Sequence, residues 1–250
     1  EFKMKPPFSI TNKMLNLMVK ISHKLGTLQI EYERNLHLRK ENRIRSIHSS
    51  LAIENNSLTL EQVTAVLNGK RVLGHPKEIQ EVKNAYDAYD EILSYDPYSV
   101  QDFLKAHYLL TQTIVDESGN FRSKDVGIYN ASGQLVHMGA RPLFVEKLIS
   151  DLFTWAKNDD TPDLIKSAVV HYEIEMIHPF NDGNGRIGRL WQNVILSRAN
   201  PIFAWIPIET IIYAHQAEYY QVLAQADKEN DSTVFIEFML GVILETLENF

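Results

Sequence analysis

The window HPFNDGNGRIGRL, residues 178 to 190, gathers side chains that do chemistry rather than packing. It holds one histidine, an Asn-Asp pair, three glycines and two arginines. Gly183, Gly185 and Gly188 spell G-x-G-x-x-G, the dinucleotide fingerprint. That reading needs a buried strand running into the first glycine, a helix after it and an acid about 20 residues further on. Glu209 could supply the acid, and residues 170–176 could alternate as a strand. Ile165, Val169, Tyr172 and Met176 fit a helical face equally well, however, and His-Pro-Phe-Asn-Asp separates the apolar run from the glycines.

A plain helix–loop–helix corner is the second reading, with Asp182 or Asn184 as N-cap and the glycines permitting a tight turn. It leaves two arginines unexplained. Arg186 and Arg189 share one face at the start of the following helix, where the macrodipole disfavours cations. Their position makes sense around a strong anion. The third reading is therefore a phosphate site. Gly183 and Gly185 let backbone N–H groups approach the anion, and the helix start adds partial positive charge. Arg186 and Arg189 can fork onto phosphate oxygens. Asp182 is a hard oxygen ligand suited to a Mg²⁺ shared with substrate phosphates. His178 is the natural general base for a nucleophile attacking there.

The elements that must position this window read as helices. TLEQVTAVLNG carries a capping box, Thr59 with Gln62, and stops at Gly69. Ile79, Val82, Tyr86, Tyr89 and Leu93 fall at helical spacing. Ser99 is a good N-cap for the helix that follows it. Pro142 suits a first turn, ahead of a stripe of Val145, Leu148, Ile149, Leu152 and Phe153. Thr161, followed by Pro162, reads as the cap of the helix that leads into His178. Two more long helical patterns follow WIPIET. The exception is KDVGIYNASGQLVHMG, where short β-prone runs flank NASG as a hairpin. The expectation is an all-α chain with one small hairpin. A soft boundary near residues 94–99, at Pro97, separates an N-terminal helical region, 1–95, from a core, 96–250.

Composition narrows the function. A chain of 250 residues can bury a core without metals or disulfides. The absence of cysteine excludes a thiol nucleophile, Cys-ligated metals and a disulfide framework. A formal charge of −7 disfavours a broad nucleic-acid footprint. No signal-peptide pattern opens the chain, and VFIEFMLGVIL is interrupted by Glu237 and too short to span a bilayer. A soluble cytoplasmic protein that neither enters a membrane nor binds nucleic acid is the expectation.

The window also carries a resemblance. His178 to Arg186, completed by Arg189, match His-Pro-Phe-x-(Asp/Glu)-Gly-Asn-Gly-Arg-x-x-Arg of the Fic domain family without a mismatch. FRSKDVGIYNASGQLVHMGARPLFVEKLISDLFTW resembles that family's flap hairpin and the helix after it, and AEYYQVLAQADKEND resembles a later helix. The resemblance implies a Fic-type helical bundle with a β-hairpin flap and an N-terminal helical extension. It implies transfer of AMP from ATP to a Ser, Thr or Tyr hydroxyl of a target protein. His178 would then take the hydroxyl proton, and Asp182 would hold Mg²⁺. Asn184 with the Gly183 and Gly185 amides would bind the α-phosphate region, and Arg186 and Arg189 the outer phosphates. Phe180 would anchor the loop in the core, and Tyr219 or Tyr220 would lie near the adenine. The flap, residues 126–139, would pair with an extended target segment. Self-association is common in the family. Its frequent winged-helix extension is not visible in this sequence, which ends within an apolar helical pattern, and a DNA-related role stays open.

SSLAIENNSLT, residues 49–59, matches the family's inhibitory pattern (Ser/Thr)-x-x-x-Glu-(Gly/Asn) at Ser50, Glu54 and Asn55. On its own, Glu54 reads as a solvated helix glutamate, four residues after Ser50, with Asn55 as C-cap. With the resemblance, Glu54 would pair with Arg189 and occupy the fork meant for the γ-phosphate. The rivals are other phosphate chemistry on the same fold, including a different nucleotide or AMP removal, and a regulator that binds nucleotide without turnover.

Overall fold

The computed structural model describes residues 5–130 and 132–250, with the backbone alone for 29–34. Residues 1–4 of the N-terminal region and Ala131 of the flap lie outside the described residues. Eleven α-helices, one 3₁₀ turn and one hairpin make up the described chain. Helices α1 (Asn12–Arg34), α2 (Leu36–Ile53), α3 (Leu60–Leu67), α4 (Pro76–Asp90) and α5 (Val100–Thr111) precede strands β1 (Gly127–Tyr129) and β2 (Leu135–Met138). After the hairpin come α6 (Pro142–Asn158), α7 (Asp163–Ile177), α8 (Asn184–Ala199), α9 (Ile208–Ala214), α10 (Gln216–Glu229) and α11 (Thr233–Asn249).

Helix α8 is the axis of the fold. Nearly every residue from Asn184 to Ser197 is buried, the signature of a helix enclosed on all sides. α7 packs along it, α6 and α11 cover α7, and α5 meets α8 from another side. α2 reaches α8, α4 and α9, so the N-terminal helices close over the core. Trp191 of α8 donates its indole N–H to the Pro97 carbonyl at 2.9 Å. It also packs among Phe103, Phe153 and Tyr95.

Most local punctuation lies where the sequence places it. Thr59 and Gln62 form a complete capping box, Ser99 caps α5, and Pro142 opens α6. Gly69 takes a left-handed φ of 74° just past α3. The hairpin forms around Asn130, whose side chain accepts from the Ser132 and Gln134 amides. Thr161 is a correction. It is not a cap, because its N–H and hydroxyl both turn to the Asp159 carboxylate, and Pro162 stands at the cap position without a side-chain bond. The stripe on α4 is narrower than its spacing suggests. Val82 and Tyr89 are buried, Tyr86 is exposed, and Leu93 lies exposed beyond the helix end.

The end of α2 matters most for the site. Its C-cap is Glu54, one residue earlier than the sequence suggests, and Asn55 follows with φ of 66°. The Asn55 N–H reaches the Ala52 carbonyl at 3.0 Å and the Asn56 N–H the Leu51 carbonyl at 3.1 Å. This is a Schellman closure, which needs a residue tolerant of the left-handed region. Asparagine and glycine tolerate it, which gives the last position of the Ser-x-x-x-Glu-Asn pattern a physical reason. Asn55→Val should therefore cost about 1–2 kcal/mol in urea unfolding, whereas Asn55→Gly should cost little or nothing.

Candidate active site

The loop from His178 to Gly183 joins α7 to α8 and is held from below. Phe180 is fully buried, stacked on His107 with ring centroids 3.6 Å apart and in contact with Phe103 and Phe121. Asn184 clamps the same residue. Its Oδ1 accepts the Phe180 N–H at 2.9 Å and its amide donates to the Phe180 carbonyl at 2.8 Å. The Asn184 side chain is thus spent on the loop, and its main-chain N–H is what it can offer an anion. Ile187 N–H is bonded to the Gly183 carbonyl at 2.9 Å, so the amides of residues 184–186 lie in the first turn, without intrahelical acceptors.

Gly183 stands at the N-cap of α8 with φ of 86°, and an added Cβ would stand 3.0 Å from Thr111. Its N–H is bonded to Asp182 Oδ1 at 2.6 Å, and Arg186 Nη2 donates to the same oxygen at 3.2 Å. The Asp182 side chain is 55% exposed at the mouth of the loop. Arg186 is buried, with Glu81 Oε1 3.9 Å away and a buried Nε that has no hydrogen-bond partner. His107, which sequence reasoning missed, donates from Nε2 to the Asp182 carbonyl at 2.8 Å and accepts the Gly119 N–H at 3.0 Å. Burial depresses its pKa to about 4, so the ring stays neutral as this two-sided strut. Only its place on α5 under the loop reveals that role.

His178 ends α7 in the left-handed region, with φ of 52° and ψ of 62°. Nδ1 lies 3.3 Å from the Glu175 carbonyl, which can only accept, so Nδ1 carries the proton. Nε2 is then the lone-pair nitrogen. Burial lowers the His178 pKa, with the Glu175 charge opposing it, which keeps the ring neutral near pH 7. The flap is fastened nearby, since His137 of β2 meets the Met176 carbonyl at 2.8 Å and Asp227 of α10 at 3.0 Å.

Arg189 is the most enclosed cation of the site, 2% exposed. Nε donates to Ser50 Oγ at 3.2 Å, and Nη2 donates to the Ser50 carbonyl at 3.0 Å and to Glu54 Oε1 at 2.7 Å. Burial alone would lower its pKa, but the Glu54 charge opposite more than reverses that. The Glu54 carboxylate also lies against the Cα of Gly185, where any Cβ would collide with it. A carboxylate therefore sits at the amino end of α8, on the arginine fork. Gly188 is explained too, since a Cβ there would press on His171 at 3.1 Å and Glu175 at 3.3 Å. Behind the fork, the two tyrosines part company. Tyr219 is closed to solvent with its hydroxyl 2.9 Å from His171 Nε2, so it backs the site rather than presenting a ring to a ligand. Tyr220 is half-exposed and donates to the Ile53 carbonyl at 3.2 Å, beside Glu54.

A sequence profile of the Fic/DOC family matches residues 97–196. The chain is 49% identical to a Fic family protein from Desulfovibrio desulfuricans whose crystal structure superposes with a TM-score of 0.95, over 98% of this chain and 76% of that one. The chain belongs to the Fic/DOC family. A Fic domain-containing signaling protein from Bacteroides thetaiotaomicron shares the fold at a TM-score of 0.76 and 20% identity, over 95% of this chain and 94% of that one. Curated relatives include the protein adenylyltransferase Fic of Nematostella vectensis, 29% identical across 84% of this chain and 49% of that protein. Another is the protein adenylyltransferase fic-1 of Caenorhabditis elegans, 29% identical across 72% of this chain and 36% of that protein. The chain thus spans half or less of the length of these two relatives. The Fic profile ends inside α8 and begins at Pro97, so Glu54 and its helix lie outside the matched stretch.

The Fic loop carries a pH signature through His107. Its folded pKa of about 4 is below the unfolded value, so the unfolded chain binds the proton first, and stability falls as pH drops below about 6.5 until it levels near 4. Unfolding free energies measured from pH 7 to pH 4 should decline by up to about 3 kcal/mol more in the wild type than in His107→Gln.

Proposed function

We propose that this chain transfers AMP from ATP to a hydroxyl of a protein target and that Glu54 restrains it. The observation that carries the reading is the Glu54 carboxylate on Arg189 and over Gly185, an anion of the chain's own standing where a phosphate would bind. The names of the curated relatives add the reaction class. The donor set agrees. One exposed carboxylate, Asp182, is available, and among the described residues no cluster of three or more His, Asp or Glu could hold a metal unaided. That set fits a Mg²⁺ held jointly by Asp182 and phosphate oxygens, where the ion would neutralise phosphate charge.

The step follows from the residues. With Nδ1 donating to the Glu175 carbonyl, His178 Nε2 takes the proton of the target hydroxyl. The hydroxyl oxygen bonds to the α-phosphorus as the bond from that phosphorus to the bridging oxygen breaks, and pyrophosphate leaves with the electron pair. The free amides of residues 184–186 and the positive end of α8 stabilise the α-phosphate charge. Arg186 holds the β-phosphate, and Arg189 takes the γ-phosphate once Glu54 has left. Tyr220 borders the base, with Tyr219 behind it. The flap, residues 126–139, pairs with an extended target segment and brings its hydroxyl to His178. The protein acts in the cytoplasm, and self-association accompanies this fold.

Removing the restraint should be visible directly. Glu54→Gly should raise labelling of the protein by radiolabelled ATP at least about tenfold, and His178→Ala in that background should abolish labelling while ATP binding persists. Equal labelling with and without Glu54 would end the idea of restraint, and undiminished labelling without His178 would exclude it as the base. The rate should fall on the acid side with a midpoint below the ordinary histidine value, because burial lowers the His178 pKa. A midpoint above that value would count against His178 as the titrating base. Mass spectrometry of the labelled protein separates AMP from any other transferred group.

A further inference from the structure

Arg122 is buried and, although the Asp125 charge bears on it, makes no ion pair among the described residues. Among the described residues, all four of its side-chain hydrogen bonds run to main-chain carbonyls. Nε donates to the carbonyl of His178 at 2.6 Å, Nη1 to that of Lys124 at 2.8 Å, and Nη2 to those of Ile177 at 3.3 Å and Ala140 more closely. Its own N–H reaches the Pro179 carbonyl at 3.0 Å. Lys124 precedes β1 and Ala140 follows β2, so one guanidinium joins both feet of the hairpin to the residue that bears the imidazole. Ile177 and His178 expose the last carbonyls of α7, the negative end of that helix, which compensates the buried cation. The join is tight. A Cβ on Gly139 would stand 2.8 Å from Arg122 Nη2 and 3.2 Å from the His178 Cβ.

His178 needs such a hold. Its φ of 52° is sparsely populated by residues other than glycine and persists only where surrounding contacts over-determine it. Attack on phosphorus also demands that the target hydroxyl lie both at Nε2 and in line with the leaving oxygen. The hairpin and His178 must therefore keep one fixed separation, and the structure gives both to the same side chain. Resting on the reading that His178 is the base and the hairpin carries the target, we propose that Arg122 is a positioning residue for the transfer step. It sets the His178 ring and the flap in one frame. A fork with five donors at fixed angles can serve four carbonyls, whereas a lysine ammonium in the same place cannot.

The test uses the Glu54→Gly chain as parent, with Arg122→Lys and Arg122→Gln added in turn. The maximal rate of self-labelling with radiolabelled ATP should fall about a hundredfold in both, the scale of a one-ångström misplacement. Calorimetric ATP affinity should stay within about threefold of the parent, because Arg122 does not face the arginine fork. A second readout is independent of turnover. The charges that bear on the His178 ring are Glu175 from its own helix, His137 from the flap and Arg122. Arg122 lowers its proton affinity, so the His178 titration followed by NMR should move to higher pH in Arg122→Gln and stay near the parent's in Arg122→Lys. If the parent labels and a folded Arg122→Lys labels at the parent's rate, the proposal is wrong. An unmoved His178 titration in Arg122→Gln also overturns it. Should Arg122→Gln not fold, the rate of Arg122→Lys decides alone. A parent that binds ATP but never labels instead defeats the reading of the site on which the proposal rests.

Discussion

A guanidinium buried near the amino end of a helix cannot be left without an anion, and that demand organises this protein. Arg189 sits in the second turn of α8, where the macrodipole is unfavourable to it and water is excluded. Glu54, partly open to solvent, is the first charge that meets it, with the Glu175 charge behind. The chain meets the demand with the end of α2. Ser50 supplies a hydroxyl and a carbonyl, Glu54 supplies the charge, and the left-handed Asn55 stops the helix so that Glu54 stands at its edge. This charge pairing adds to the packing that already holds the N-terminal helices on the core. Any ligand that displaces Glu54 must bring a negative charge of its own.

The loop beside it is built on the opposite principle, with neutral, directional contacts. Phe180 and Asn184 fix the backbone of the turn, and a neutral His107 braces Asp182 from below. Rigid support of this kind fixes the α8 amides and the His178 ring in place before any ligand arrives. The two arrangements divide the labour. Packing and hydrogen bonds set the geometry of the loop, while charge decides who occupies the anion seat.

α10 links these parts from behind. Gln216 and Tyr220 donate to the Ile53 carbonyl at the end of α2, and Asp227 meets His137 of the hairpin. Positions 216, 220 and 227 fall on one helical face, so the same surface touches both the end of α2 and the hairpin. Tyr219, on the neighbouring stripe, is buried against His171 and Phe235 and keeps that surface rigid.

Much of this was legible in residues 178 to 190, because glycines, a histidine and arginines at a helix start are chemically improbable as mere packing. The capping box at Thr59 and the turn at Asn130 were equally legible, since both are local hydrogen-bond patterns written over a few residues. Thr161 misled because a nearby Asp159 competes for the same hydroxyl, a contest that propensity does not register. His107 and Arg122 left no signal, since a lone histidine on a helix and an arginine in a loop acquire roles only from the carbonyls that the fold brings to them. Glu54 stands between these cases. The sequence by itself determined its type, its spacing from Ser50 and the asparagine that ends its helix. That its carboxylate lies on Arg189, 135 residues away, was decided only by the tertiary structure, because a buried charge chooses its partner by where the core leaves room for one.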